Sequence, residues 1–323
     1  ITEIADRLLK EERVDYSSVK AYATPRRLVL YIKDVAPFGS PLVREVRGPT
    51  YGVAFDSNGE PTRAAIGFAR AQGVDVSDLV VKEEAKGKFV YAVLRIPGSE
   101  AADALKNVCT RLVGSLSFER AMRWGDGGFR FTRPIRWILA LYGSCVIDVE
   151  INGMKGNRFT SGHRFLTSGM IEVPRAEDYF DVLEKAFCIV GQDKRKAVVE
   201  KGIKDLAEEA GGQIVEDERL LTELTYLAEH PAPLIGRFDP KLLSLPKEVI
   251  ITSMKVHQRF FPVQNAKGDL LPVFAAVRDG LATHVDSVRK GYERVLSARL
   301  KDAKFFYEED TKLKLESYVE GLK

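Results

Sequence analysis

Cysteine is scarce in this sequence. Its 323 residues contain three, Cys109, Cys145 and Cys188. An odd number without a Cys-x-x-Cys pair excludes a disulfide framework and suits a reducing compartment, so a cytoplasmic protein with buried free thiols is expected. Histidine is nearly as sparse. His163, His230, His257 and His284 show neither His-x3-His nor His-Glu-x-x-His spacing, which argues against a zinc site built by the protein. Long apolar runs are missing too: Trp137 to Leu141 and Val273 to Val277 are far shorter than the roughly 20 residues of a membrane helix, and no membrane partner is expected.

Nucleotide and nucleophile signatures are also absent. No Gly-x4-Gly-Lys-Ser/Thr loop, Gly-x-Gly-x-x-Gly fingerprint, Gly-x-Ser-x-Gly elbow or His-Asp dipeptide occurs, so a self-contained enzyme is hard to argue. The cluster Gly125, Gly127 and Gly128 reads as a tight turn. The opening ITEIADRLLK has no initiator Met and no signal-peptide plan; it reads as an amphipathic helix already under way, as in a piece of a longer chain.

What remains is an ordinary globular composition, 45% hydrophobic and 29% charged with a net charge of +3, of a length for two or three folded units. The charge is unevenly spread. Residues 121–166 carry seven Arg/Lys against three acids, residues 177–229 seven against fourteen, and residues 254–304 ten against five. Two basic surfaces separated by a solvated acidic helical element, in the role of a spacer, would give this pattern.

Periodicity predicts an α+β protein. Helices are expected over 2–12, 101–116, and in three pieces between 175 and 229 broken at Gly191 and Gly211-Gly212, with Leu183, Phe187, Val199, Ile203 and Leu206 in a core. A short helix with Pro61 at its first position and Gly73 as its C-terminal cap is expected after an Asn58-Gly59 turn. Another is expected from Pro134 to Gly143. Strands are predicted for the segment after Pro25, for 43–47, 88–96 and 146–151, and a hairpin for FFPVQNAKGDLLPVFAAV turned at NAKGD. A helix near 247–256 precedes that hairpin. A long helix over 286–308 closes the pattern, with Val288, Tyr292, Val295 and Leu296 on its apolar side. Soft boundaries near 165–174 and 231–240 divide the chain into a mixed alpha/beta domain over 1–166, an acidic helical segment over 167–232, and a third segment over 233–323 that runs from the hairpin into the long helix.

The chemistry lies in clusters of Arg, Lys, His and aromatic residues: TPRR with Arg26 and Arg27; MRWGDGGFRFTRPIRW with Arg123, Arg130, Arg133 and Arg136; GHRF with His163 and Arg164; SMKVHQRFF with Lys255, His257 and Arg259; and Lys290, Arg294 and Arg299 on the long helix. Arg and Lys neutralise phosphates and exposed rings stack on unpaired bases, so these residues are candidate RNA contacts. On a helix, Arg133 and Arg136 would lie about one turn apart and could address one phosphate or one acidic partner. Each cluster taken singly also fits core aromatics whose arginines close ion pairs. His163 and His257, each near an arginine, read as hydrogen-bonding residues.

In their order and spacing, YATPRRLVL, RGPTYGVAFD, NGEPTRAAIGFARAQGV, MRWGDGGFRFTRPIRW, SGHRFL, ITSMKVHQRFFPV and VRKGYERVLSARLKDAKFFYEED resemble the beta subunit of bacterial heterotetrameric glycyl-tRNA synthetase. The resemblance runs nearly end to end. It implies a non-catalytic subunit of an alpha2beta2 assembly that binds glycine tRNA, while the alpha subunit uses ATP and Mg to attach glycine; no cofactor is expected in this chain. It also implies a mixed alpha/beta module similar to the tRNA-binding module of the phenylalanyl-tRNA synthetase beta subunit. Two other readings stay open. The basic clusters could dock the alpha subunit, with RNA bound elsewhere, or the module could hydrolyse mischarged tRNA. Glycine is the smallest amino acid, so larger ones can be excluded sterically and editing is less needed.

Overall fold

The computed structural model describes residues 1–125 and 128–322; Asp126 and Gly127, in the expected glycine turn, lie outside them. The fold is α+β, and the chain separates into two compact units, residues 1–20 with 30–157 and residues 21–29 with 158–323. The expected boundary at 166 falls near the 157/158 change. The expected segments 167–232 and 233–323 share one unit.

In the first unit, helices Thr2–Glu11 and Ala101–Ser115 bury Ala5, Leu8, Leu9, Leu105, Val108 and Leu112 against Ile147 and Val149. The spacing of these helical residues is that of one helix face, and Ile147 and Val149 alternate with exposed Asp148 and Glu150 as expected, although the strand predicted over 146–151 forms only at its ends, in Cys145–Val146 and Glu150–Ile151. An antiparallel sheet orders Leu42–Thr50, Gly87–Ile96 and Val80–Glu84, with Gly87–Ile96 in the middle. The inserted helix Arg63–Gln72 ends at Gly73 in the left-handed region, φ 69°, where a Cβ would be strained. Its N-cap is Thr62, whose hydroxyl accepts the Ala64 N–H, so Pro61 precedes the helix instead of opening it.

The helix expected over 134–143 does not form. This segment runs extended, and Ile138 and Ala140 exchange backbone hydrogen bonds with Asn157 (3.0 and 3.1 Å). Gly143, φ 54°, turns a tight hairpin between Leu141–Tyr142 and Cys145–Val146 rather than capping a helix. Proline and glycine punctuate turns as well as helices, and here long-range pairing decides between them. The one-turn spacing that would have joined Arg133 and Arg136 is lost with the helix.

The second unit is built on a four-stranded antiparallel sheet in the order Gln213–Ile214, Phe261–Gln264, Leu270–Asp279, Pro231–Arg237. The expected hairpin is its centre, with its turn at Asn265 to Asp269. The apolar run at 273–277 is now explained: Val273 and Ala275 face helices Gln192–Glu209 and Glu218–Leu227, while Phe274 and Ala276 face Leu296 and Leu300 of the long helix Val285–Asp310. Both sheet faces are covered, so alternation disappears from the sequence. The helix at Lys247–Thr252 continues as a π-helical turn, Ser253–Gln258. Val295, expected on the apolar side of the long helix, is instead half-exposed.

Gly236 lies directly across from Phe274, and a Cβ there would stand 2.3 Å from the ring. Gly236→Ala should therefore lower the unfolding free energy by about 1–3 kcal/mol, the range for overpacking, as measured by urea denaturation.

Candidate nucleic-acid interface

The structure sorts the candidate residues by burial. TPRR and GHRF meet in the second unit through backbone carbonyls: Arg27 Nη2 donates to Ser161 O (3.0 Å) and Arg26 Nη1 to Gly162 O (3.4 Å). Arg27 is buried and ion-paired to the buried Glu229, Nη1 to Oε1 2.9 Å. The same carboxylate accepts the Thr24 hydroxyl at 2.6 Å and the Cys188 thiol at 3.6 Å. His163 is buried as well; its Nδ1 accepts the Phe165 N–H, and its Nε2 lies 3.1 Å from Asp279 Oδ1. Asp279 Oδ1 also accepts the backbone N–H groups of Glu229 and His230. Arg27 and His163 are thus framework residues, corrected from the expected RNA contacts, because a guanidinium or imidazole closed off from solvent meets no phosphate.

Arg195, which the sequence reading passed over, completes this interior. It is fully buried within Gln192–Glu209 and donates to the carbonyls of Thr225, Ile189, Val190 and Ala23 at 2.5–2.9 Å. Burial disfavours its charge, and the four carbonyl dipoles offset that cost. Only the absence of i±4 acids beside Arg195 hints at this role in the sequence.

The SMKVHQRFF cluster is largely neutralised. Lys255 is ion-paired to Asp217 (3.1 Å) and Arg259 to Glu223 (2.6 Å), while His257 stays exposed at the end of the π turn. Arg259 occupies the left-handed region, φ 57°, where the chain leaves that turn. The acidic helices therefore supply counter-ions to the basic segment, which the spacer reading missed.

Other cations are open to solvent. Arg164 is exposed with its guanidinium 5.3 Å from the centre of the Phe165 ring, and that ring is 76% exposed. Lys290, Arg294 and Arg299 are exposed on the long helix. In the first unit, Met122–Trp124 and Phe129–Phe131 form a hairpin in which Arg123 stands directly opposite Arg130. Both are exposed and neither forms an ion pair among the described residues; exposed Arg133 and Arg136 follow, also without one. Opposite residues alternate faces, so the hairpin has one arginine face and one carrying Trp124, Phe129 and Phe131, with Trp124 Nε1 donating to Phe131 O (2.9 Å). Like charges directly across a strand pair repel. The face therefore carries two exposed cations side by side.

Among the described residues, no group of His, Cys, Asp and Glu could hold a metal ion, and no helix is long and apolar enough to cross a membrane.

The sequence of all 323 residues matches the family model described as glycyl-tRNA synthetase beta subunit. The chain belongs to that family. It is 47% identical over 319 residues to the glycine–tRNA ligase beta subunit of Moorella thermoacetica, covering 99% of this chain and 46% of that protein. The corresponding proteins of Desulforamulus reducens and Clostridioides difficile are 45% and 43% identical over 97% and 98% of the chain. The chain spans about half the length of these curated relatives. The resemblance of the motifs thus extends to the whole of this sequence.

Burial pushes the Cys188 thiol up to about 12 and the Cys109 thiol up to about 11, whereas Cys145, against the expectation of burial, is exposed beside the tight turn at Gly143. In the folded protein iodoacetamide should label Cys145 first and leave the other two until unfolding. Glu229→Gln, which leaves Arg27 buried without its carboxylate, should lower stability by about 3–5 kcal/mol. It should also hasten alkylation of Cys188, read by mass spectrometry over time.

Proposed function

We propose that this chain is the part of a glycine–tRNA ligase beta subunit that holds tRNA, while an alpha subunit, with ATP and Mg, attaches glycine. The observation that carries this reading is the arginine face of the 122–131 hairpin, with Arg133 and Arg136 beside it, in a chain of this family. Guanidinium groups fork onto phosphate oxygens, and cations with no carboxylate partner among the described residues need break no ion pair there to bind them. The chain's contribution is positional: it fixes the RNA so that the terminal ribose hydroxyl meets the activated glycine. No residue here is assigned a bond-breaking role, and no cofactor is assigned to this chain. The architecture is proposed to be related to the tRNA-binding module of the phenylalanyl enzyme's beta subunit, and the setting to be the cytoplasm.

The test is tRNA binding by Arg123→Gln with Arg130→Gln across a salt series. Loss of two phosphate contacts should weaken binding roughly tenfold or more near 0.1 M salt and reduce the slope of log K against log salt by about 1–2. Thermal stability should hold or rise slightly, because a cross-strand repulsion is removed. Lower stability with an unchanged slope would make the pair structural. Retained binding to the alpha subunit by a wild-type chain with no RNA affinity would make this a docking scaffold.

A further inference from the structure

The second unit carries a separate group of cations that sequence spacing alone does not assemble. An open cleft of about 400 Å³ lies between the end of strand Pro231–Arg237 and the long helix. Arg237, Lys290 and Arg294 line it together with Asp239, Glu293 and Ser297. Lys290 and Arg294 are four residues apart on one helix and so share a face. Arg237 comes from more than fifty residues earlier and is fixed there by its backbone N–H, which donates to Glu293 Oε1 at 2.9 Å.

The three cationic side chains are exposed, and none is ion-paired among the described residues. The two carboxylates are already engaged. Glu293 holds the Arg237 amide, and Asp239 accepts the Lys241 N–H at 3.0 Å as the cap of the 240–244 turn. Leu296 and Leu300, fully buried on the same helix, hold the scaffold in place.

We propose that this cleft binds one phosphodiester of an RNA backbone. Three cations against two carboxylates leave a net charge of +1, which matches a singly charged phosphodiester better than a dianionic free phosphate. The cleft is open to solvent, as suits a group carried on a polymer lying along the surface. Arg237 and Arg294 offer forked donors to the phosphate oxygens, Lys290 a point charge, and Ser297 a hydroxyl one turn away. The identity of the polymer rests on the tRNA reading above. The site itself is distinct in residues and in unit from the arginine hairpin.

The experiment measures tRNA binding across a salt series by the wild-type protein, by Lys290→Gln with Arg294→Gln, and by Arg123→Gln with Arg130→Gln, with melting curves for each. The cleft variant should bind about five- to tenfold more weakly near 0.1 M salt, with the salt slope reduced by about 0.9, the value for one phosphate. Adding Arg237→Gln should change the slope little further, since the same phosphate is involved, and Lys290→Arg should retain wild-type affinity.

An unaltered slope in a cleft variant that melts like wild type, while the hairpin variant flattens, would overturn the cleft alone. Absence of salt-dependent tRNA binding by the wild-type protein would overturn the tRNA reading and the cleft with it. Inorganic phosphate and polyglutamate serve as competing probes. Binding of either that the cleft variant loses while its tRNA affinity stays intact would assign the cleft to a free anion or an acidic protein segment and overturn the proposal.

Discussion

The second unit depends on a buried carboxylate. Glu229 sits at the junction between helix Glu218–Leu227 and strand Pro231–Arg237, and there gathers Thr24, Arg27 and Cys188 around one pair of oxygens. An isolated charge at that depth would cost several kcal/mol, so each partner is required by the others. Residues 21–29, from early in the chain, are thereby fixed in a core made mostly from residues beyond 158. Arg195 reinforces the arrangement by donating to the Ala23 carbonyl. Such a network adds specificity of placement more than net stability, because a charge must find its counter-charge in one geometry only.

The sheet beside this network is covered by helices on both faces, which accounts for the close approaches around it. Gly236 admits the Phe274 ring, and Gly202, on helix Gln192–Glu209, admits Pro233, where a Cβ would stand 2.5 Å from the proline ring. Packing of this kind buries the long helix through Leu296 and Leu300 and leaves Lys290 and Arg294 exposed beside that contact. The scaffold is apolar and closed; the cations stand on its outside.

Electrostatics divide the basic residues into two populations. Arg27, Lys255 and Arg259 face carboxylates at 2.6–3.1 Å and belong to the fold. Arg123, Arg130, Arg133, Arg136, Lys290 and Arg294 have no such partner among the described residues and remain available to an anion. The acidic helices matter to this division, since Asp217 and Glu223 take up the cations of the segment after Ser253. The alternation of charge along the chain is thus resolved partly into internal pairing and partly into open surface.

The sequence by itself determined the helices with clear apolar faces, the 261–279 hairpin, the glycine cap at 73 and the family, because these rest on periodicity, turn chemistry and motif order within short windows. It also named the exposed arginines of the 122–137 segment, Arg123, Arg130, Arg133 and Arg136. Tertiary structure alone decided the rest. A run such as Pro134 to Gly143 carries helix punctuation but is claimed by pairing with Asn157, and TPRR looks like a surface motif until Glu229, some two hundred residues later, is brought beside it. Burial and charge pairing are properties of residues distant in sequence, so no local pattern could separate the arginine that holds the core from the arginine that faces solvent.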